Sequence, residues 1–234
     1  LFAKVTKGAL SNDMTGNPEA VASIVVRRTM PSCAVTAPVK ALIGPPDDAD
    51  TMKSGFQLRA AGTAGASAKT IELKLVGAVN ATSGLKPATT AGLSFDFDIP
   101  TTGETAYSVQ VEAVDDVGNK CTASKSVTAD FVAPTVALLS PTMAGSPYTT
   151  FVIPVKATVT GGDGGGFSYQ ILKGATVVAT GNATVPAGGM VTATANLSAN
   201  GSYTFKATAS DAAGNTSTAA METFSINSTG CGIA

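Results

Sequence analysis

The chain has 234 residues, enough for one or two domains that each bury a core. Charged residues are 13% of it, about half the roughly 25% usual in soluble proteins. The net charge is −1, and no basic run or arginine–aromatic cluster gives nucleic acid a surface to bind. There is no His and no Trp, which removes Ser-His-Asp, Cys-His and His-based metal catalysis and leaves no indole platform for sugars. No apolar stretch reaches the roughly 18 residues that would span a bilayer, so no membrane insertion is expected.

The first segment, about 1–29, contains Asp13-Met14-Thr15-Gly16-Asn17, and Pro18 to Val26 reads as a final strand or a short helix. The chain opens on Leu1, without Met and without a charged-then-apolar leader, and is read as a processed or truncated piece of a longer one. A new unit opens at Pro31-Ser32-Cys33-Ala34-Val35, followed by the acidic loop Asp47, Asp48 and Asp50. Ile71 to Leu75 and Leu93 to Phe97 alternate apolar and polar residues, as half-buried strands do, and Asp96 and Asp98 then share one face. Alternation is clearest over Tyr107 to Ala113, just before Asp115-Asp116-Val117-Gly118-Asn119.

Phe131-Val132-Ala133-Pro134 is a short linker, and Ala133-Pro134-Thr135-Val136-Ala137 opens the next unit. Gly161 to Gly166 is a flexible loop, with no Gly-Lys-Ser/Thr to make it a phosphate cradle. Val191 to Leu197 and Tyr203 to Ala209 are alternating strands again, and Asp211-Ala212-Ala213-Gly214-Asn215 closes the unit. Thr229-Gly230-Cys231-Gly232-Ile233 repeats the opening phrase.

These elements form a repeat. Gly16, Gly118 and Gly214 are 102 and 96 residues apart, a period too long for a solenoid and right for a sandwich domain. The repeat divides the chain into 1–29, the last strands of a preceding unit or an irregular N-terminal segment; 30–131 and 132–228, two whole units; and 229–234, the start of another. The fold class is all-β, with antiparallel sandwiches of about seven strands each.

Tyr107 and Tyr203 each stand eleven residues before the glycine of an Asp-x-x-Gly-Asn turn. With Gly201-Ser202-Tyr203 and Asp211 to Asn215, this resembles the bacterial immunoglobulin-like domains strung in tandem on surface proteins. The resemblance implies Greek-key sandwiches whose strand F begins near the tyrosine, with Tyr107 and Tyr203 as tyrosine corners. Val109 and Phe205 stand where antibody domains have Cys, which sets the chain apart from them.

Within that fold Cys33 opens strand A and Cys121 follows the F–G turn, at the same pole and side by side, so a Cys33–Cys121 disulfide is expected. Free buried thiols are the alternative. Cys231 is the counterpart of Cys33 and is unpaired within this chain, unless it links chains. Zinc does not fit three scattered cysteines without His.

Asp115 and Asp211 are read as caps of their own turns, with Gly118 and Gly214 at positive φ and Asn119 and Asn215 completing the motif with Asp13, Gly16 and Asn17. Asp47, Asp48 and Asp50 are weak calcium candidates, and no other cofactor or metal is expected. Asn80, Asn182, Asn196, Asn200, Asn215 and Asn227 stand in Asn-x-Ser/Thr strings, frequent by chance in this composition.

No catalytic residue emerges, and the expected function is that of a non-catalytic structural spacer. The setting would be an extracellular or cell-surface fibre, stalk, adhesin or filament, with neighbouring repeats or like subunits as partners. The alternatives are a module binding a glycan or protein receptor, or accessory domains of a larger secreted enzyme.

Overall fold

The computed structural model describes residues 3–7, 22–26, 29–89 and 91–229. Strands β1 (Ala3–Lys7) and β2 (Ala22–Val26) pair antiparallel with Val5 opposite Ile24. The turn residues Asp13, Gly16 and Asn17, and Cys231, lie outside the described residues. The chain divides into two compact units, one of Leu1–Ala41, Asp47–Thr101 and Thr105–Thr128, the other mainly of Ala129 onward.

The first unit is a sandwich built from β3 (Cys33–Ala37), β4 (Leu42–Ile43), β5 (Phe56–Ala64), β6 (Ala68–Gly77), β7 (Ala81–Thr82), β8 (Lys86–Pro87), β9 (Leu93–Ile99), β10 (Glu104–Asp115) and β11 (Lys120–Asp130). One sheet runs β3-β5-β9; the other runs β4-β11-β10-β6-β7, with β8 also on β6. The second unit has β12 (Thr135–Ser140), β13 (Val152–Thr160), β14 (Gly166–Lys173), β15 (Thr176–Thr184), β16 (Met190–Asn196), β17 (Gly201–Ala209) and β18 (Ala220–Ile226). Its sheets run β12-β13-β16 and β15-β14-β17-β18. Both are the A-B-E over C′-C-F-G arrangement of immunoglobulin-like sandwiches, with extra short strands in the first.

The expected run of strand A alongside strand G holds only for its short continuation β4, which lies beside β11; β3 itself pairs with β5, in the sheet opposite β11. Pro38 follows β3 directly, and without an N–H it cannot continue the ladder.

The alternation seen in sequence places the core. Val109, Val111 and Ala113 of β10 are fully buried against Leu58 and Phe97 of the facing sheet's strands, and Phe205, Ala207 and Ala209 occupy the same role on β17. A buried Leu, Val or Phe contributes roughly 1.5–3 kcal/mol relative to exposure, so these inward rows dominate the stability of each sandwich. The outward residues alternate with them: Ser108, Gln110, Glu112 and Val114 on β10, and Ser202, Thr204, Lys206 and Thr208 on β17.

Gly62 on β5 shows how closely the two sheets of the first sandwich approach. A Cβ there would lie 2.2 Å from Val111 Cγ2, too short for any real contact. We therefore expect Gly62→Ala to destabilise the first sandwich by about 1–3 kcal/mol through overpacking. In a Val111→Ala background the same change should cost less. Chemical denaturation of the four chains of that cycle checks both statements; an equal cost in the two backgrounds would refute the close approach.

Candidate functional site

The residues singled out by the repeat fall into three groups: the cysteine pair, the polar turns with their tyrosines, and the acidic loop. Cys33 and Cys121 form a disulfide, with Cα atoms 5.9 Å apart and a separation of 88 positions in sequence. Because β3 and β11 belong to opposite sheets, this bond ties the two layers of the first sandwich together covalently. Closing a loop of that length in the unfolded chain contributes roughly 4–5 kcal/mol on the chain-entropy account. In the second sandwich the repeat puts Thr135 and Ser217 at the corresponding positions. There the Ser217 hydroxyl accepts the Ala209 N–H instead, at 2.9 Å.

The two complete Asp-x-x-Gly-Asn turns share one geometry. Asp115 Oδ1 accepts the backbone N–H groups of Val117 and Asn119, both at 2.9 Å, and Oδ2 accepts the Asn119 amide at 2.8 Å. Asp211 does the same toward Asn215, whose backbone N–H reaches Oδ1 at 2.9 Å and whose amide reaches Oδ2 at 2.8 Å. Gly118 and Gly214 have φ of 91° and 89°, a region that costs a side-chain-bearing residue dearly. All four polar side chains are buried, so the motif is an internally satisfied turn. Asn215, one of the Asn-x-Ser/Thr asparagines, is thus enclosed and engaged. Burial works to raise the Asp115 carboxyl, but the Asn119 side chain and the backbone N–H groups of Asn119, Val117 and Gly118 hold it below the ordinary carboxylate range.

The two tyrosines differ. The Tyr203 hydroxyl donates to the Ala199 carbonyl four residues upstream, making a tyrosine corner. Tyr107 is equally buried, yet its hydroxyl has no hydrogen-bond partner among the described residues. The expected corner at Tyr107 is therefore not formed. The carbonyl four residues before it, Gly103, accepts the Phe131 N–H at 3.0 Å. Strand β10 also starts three residues before its tyrosine, whereas β17 starts two before, which leaves Ala199 in the turn. Desolvation pushes the Tyr107 phenol up.

The acidic residues are spent on local structure. Lys40 Nζ lies 2.6 Å from Asp47 Oδ1. Asp48 Oδ1 accepts the backbone N–H groups of Gln57 at 3.0 Å and Asp50 at 3.2 Å, and Asp50 Oδ1 that of Met52 at 3.1 Å. Among the described residues no group of three or more His, Cys, Asp or Glu side chains is placed to hold a metal, so the geometry gives the calcium candidates no shared cage. Asp96 takes the Arg59 fork at 2.8 Å on each oxygen, across the β5–β9 ladder. Asp98 meets Lys53 at 2.6 Å and the Gln57 amide at 3.1 Å. Each carboxylate of that strand face is matched to a cation, which does not make a general acid and base of them. Sequence reasoning missed a further network: Glu112 holds Lys120 at 3.0 Å and Lys74 at 3.2 Å across β10 and its neighbours. Charged residues at outward positions of adjacent strands were its signal.

A shallow groove of about 540 Å³ opens on the second sandwich where β14, β15 and β17 meet, lined by Ser168, Asn182, Thr184, Thr208, Ser210 and Thr216, among others. Its lining is uncharged. No helix among the described residues is long and apolar enough to cross a membrane.

Fold and turns together define an immunoglobulin-like module. Residues 131–223, most of the second sandwich, match the bacterial Ig domain family. Similar solved structures include the fibronectin(III)-like modules of Clostridium thermocellum CbhA, at 14% identity and a TM-score of 0.43 over 84% of this chain and 95% of that one. A tetra-tandem repeat from the extending region of a large adhesion protein is similar at 18% identity and 0.41, over 91% of this chain and 54% of that one. The BSP domain of a biofilm associated protein is similar at 17% and 0.27, over 76% and 28%. This chain thus spans about half of the adhesion repeat and about a quarter of the biofilm chain. No curated protein matches it in sequence.

Two outcomes follow from this chemistry. Tyr107→Phe should leave the stability of the first sandwich unchanged or slightly raised, while Tyr203→Phe should lower that of the second by about 1 kcal/mol, because only the latter removes a formed hydrogen bond. Thermal unfolding of the two variants separates these cases. The second concerns acid. Arg59 above all holds Asp96 low, Lys53 does so for Asp98, and Lys120 for Glu112, and Asp115 is low as described. Carboxyls lowered in the fold contribute stability that is present above their unfolded values near pH 4 and is lost as pH falls through their folded values. All four sit in the first sandwich, so a pH titration of unfolding should show it losing more stability below about pH 4 than the second does.

Proposed function

We propose that this chain is a structural spacer of an extracellular or cell-surface protein, a stalk, fibre, adhesin or filament segment that carries tension and performs no catalysis. The observation that carries this reading is where the disulfide sits. Cys33 stands three residues into the 30–131 unit, at the start of β3, and Cys121 stands at the start of β11, its last strand. Tension entering before β3 passes across the sulfur bridge to β11 and leaves through its end. The residues between the two cysteines are bypassed and cannot be drawn out while the bond holds.

Supporting features agree with an exposed, durable module. A structural disulfide persists in oxidising compartments and is rare in reducing cytoplasm, which favours a location outside it. The turns are internally satisfied, and the carboxylates described above are paired or engaged with backbone. Neighbouring repeats or like subunits would be the partners. A glycan or receptor-binding role is the second reading, favoured by the groove between β14, β15 and β17, although that groove offers neither charge nor an exposed aromatic for recognition.

Single-molecule pulling on the chain tests the first reading. Unfolding of the first sandwich should lengthen the oxidised chain only by the residues outside the bridge. After reduction the gain should grow by about 300 Å, the 88-residue loop at roughly 3.5 Å per residue. Equal lengthening in the two states would show that the bridge does not lie on the path of tension, and would remove the basis of the proposal.

A further inference from the structure

β15 is the outer strand of the β15-β14-β17-β18 sheet, and among the described residues no strand pairs with its far side. An unpaired strand leaves a row of N–H and C=O groups ready to template another strand, and proteins usually blunt such an edge with short strands, Lys, Pro or bulges. The first sandwich does so at the corresponding edge. Its sheet ends in β7 and β8, two residues each, and β8 is Lys86-Pro87. At the other end of the second sandwich's sheet, β18 is partly covered: Tyr148 N–H donates to the Ser225 carbonyl and its own carbonyl accepts the Asn227 N–H, both at 2.8 Å. β15 is neither shortened nor covered by such a segment among the described residues. It is nine residues long, and no Asp, Glu, Lys or Arg occurs from Gly174 to Phe205.

One bulge interrupts it. Ile171 pairs with Ala179 and Leu172 with Val177, so Val178 has no partner on β14. From Ala179 to Thr184 the ladder is regular, with Thr180, Asn182 and Thr184 exposed on the outer face and Ala179, Gly181 and Ala183 turned toward the core side. The inward residues are small. Gly181 is where the Tyr169 ring packs, and a Cβ there would come 2.4 Å from it.

We propose that β15 is a lateral association edge whose occupant is β15 of a second copy of this chain, paired antiparallel so that two four-stranded sheets join into one of eight. A two-fold contact sets the same residues against each other, which is harmless here because none is charged and the outward ones are Thr and Asn. A charged peptide would find no counter-charge on this edge, whereas a second copy finds its own hydroxyl and amide pairs. One strand edge is smaller than the roughly 1,200 Å² of a stable interface, so a single contact is weak and reversible. Repetition along neighbouring arrays would multiply it. This sideways contact is independent of the end-to-end role proposed above, and either can fail without the other.

Sedimentation velocity of the whole oxidised chain, with Cys231→Ser to remove sulfur cross-links, tests it. With rising concentration the parent should shift from 23.1 kDa toward twice that mass. T180K/N182K should remain monomeric at every concentration, and so should T180E/N182E, whereas an equimolar mixture of the two should associate again. The control T192K/T194K, which charges the exposed outer residues of β16 instead, should associate like the parent. Circular dichroism and the thermal midpoint establish that each variant folds; should the lysine pair not fold, the glutamate pair against the parent carries the test. A parent that stays monomeric, a β15 variant that associates as the parent does, a β16 variant that stays monomeric, or a mixture that does not recover would each overturn the proposal.

Discussion

Everything in this structure depends on two sheets each burying one face against the other. The requirement is met by strands in which every second residue is apolar, and it is most stringent on the central strands β10 and β17. Val109, Val111 and Phe205 are wholly excluded from water there. Sheets that pack face to face lie about 10 Å apart, and the side chains between them must fill that gap without overfilling it. Gly62 marks a place where the two sheets of the first sandwich come close, since Val111 occupies the space its side chain would need. With the inner faces committed to the core, the outer faces, turns and edges are left to determine what the domains do.

The two sandwiches meet the same architectural demands with different chemistry. Both close the turn before strand G with a buried Asp–Asn pair and a glycine at positive φ. The first then joins its layers with a disulfide, matches its outward carboxylates to cations and, among the described residues, leaves the Tyr107 hydroxyl without a partner. The second has Ser217 closing the start of strand G and a formed corner at Tyr203. A covalent bond between layers and a satisfied corner are separate ways of fixing the last strands of a sandwich to the rest.

That division of chemistry bears on function. A covalent bridge between the first and last strands suits a module pulled from its two ends, and paired surface charges suit one that stays apart from its neighbours. A long uncharged edge suits contact from the side. The first sandwich has the former features and the second has the latter, so under the two proposals the links of such a chain would serve different roles.

The sequence by itself determined the period, the inward rows and the fold class. A repeated turn and a two-residue alternation are local, and a strand's buried face follows from its own residues whatever it pairs with. The placement of Cys33 and Cys121 at the two ends of one repeat was legible for the same reason. What only the tertiary structure decided is non-local. Alternation does not state which sheet a strand joins, so β3 was expected beside β11 and lies in the layer opposite. A tyrosine at the right spacing does not reveal where an upstream carbonyl sits, and among the described residues none accepts from Tyr107. Three neighbouring aspartates are legible in sequence, and only the fold sets Asp47 beside Lys40 and gives Asp48 and Asp50 their backbone N–H partners. The exposure of β15 is of the same kind: an edge is defined by the absence of a neighbour, and neighbours are assigned by the fold.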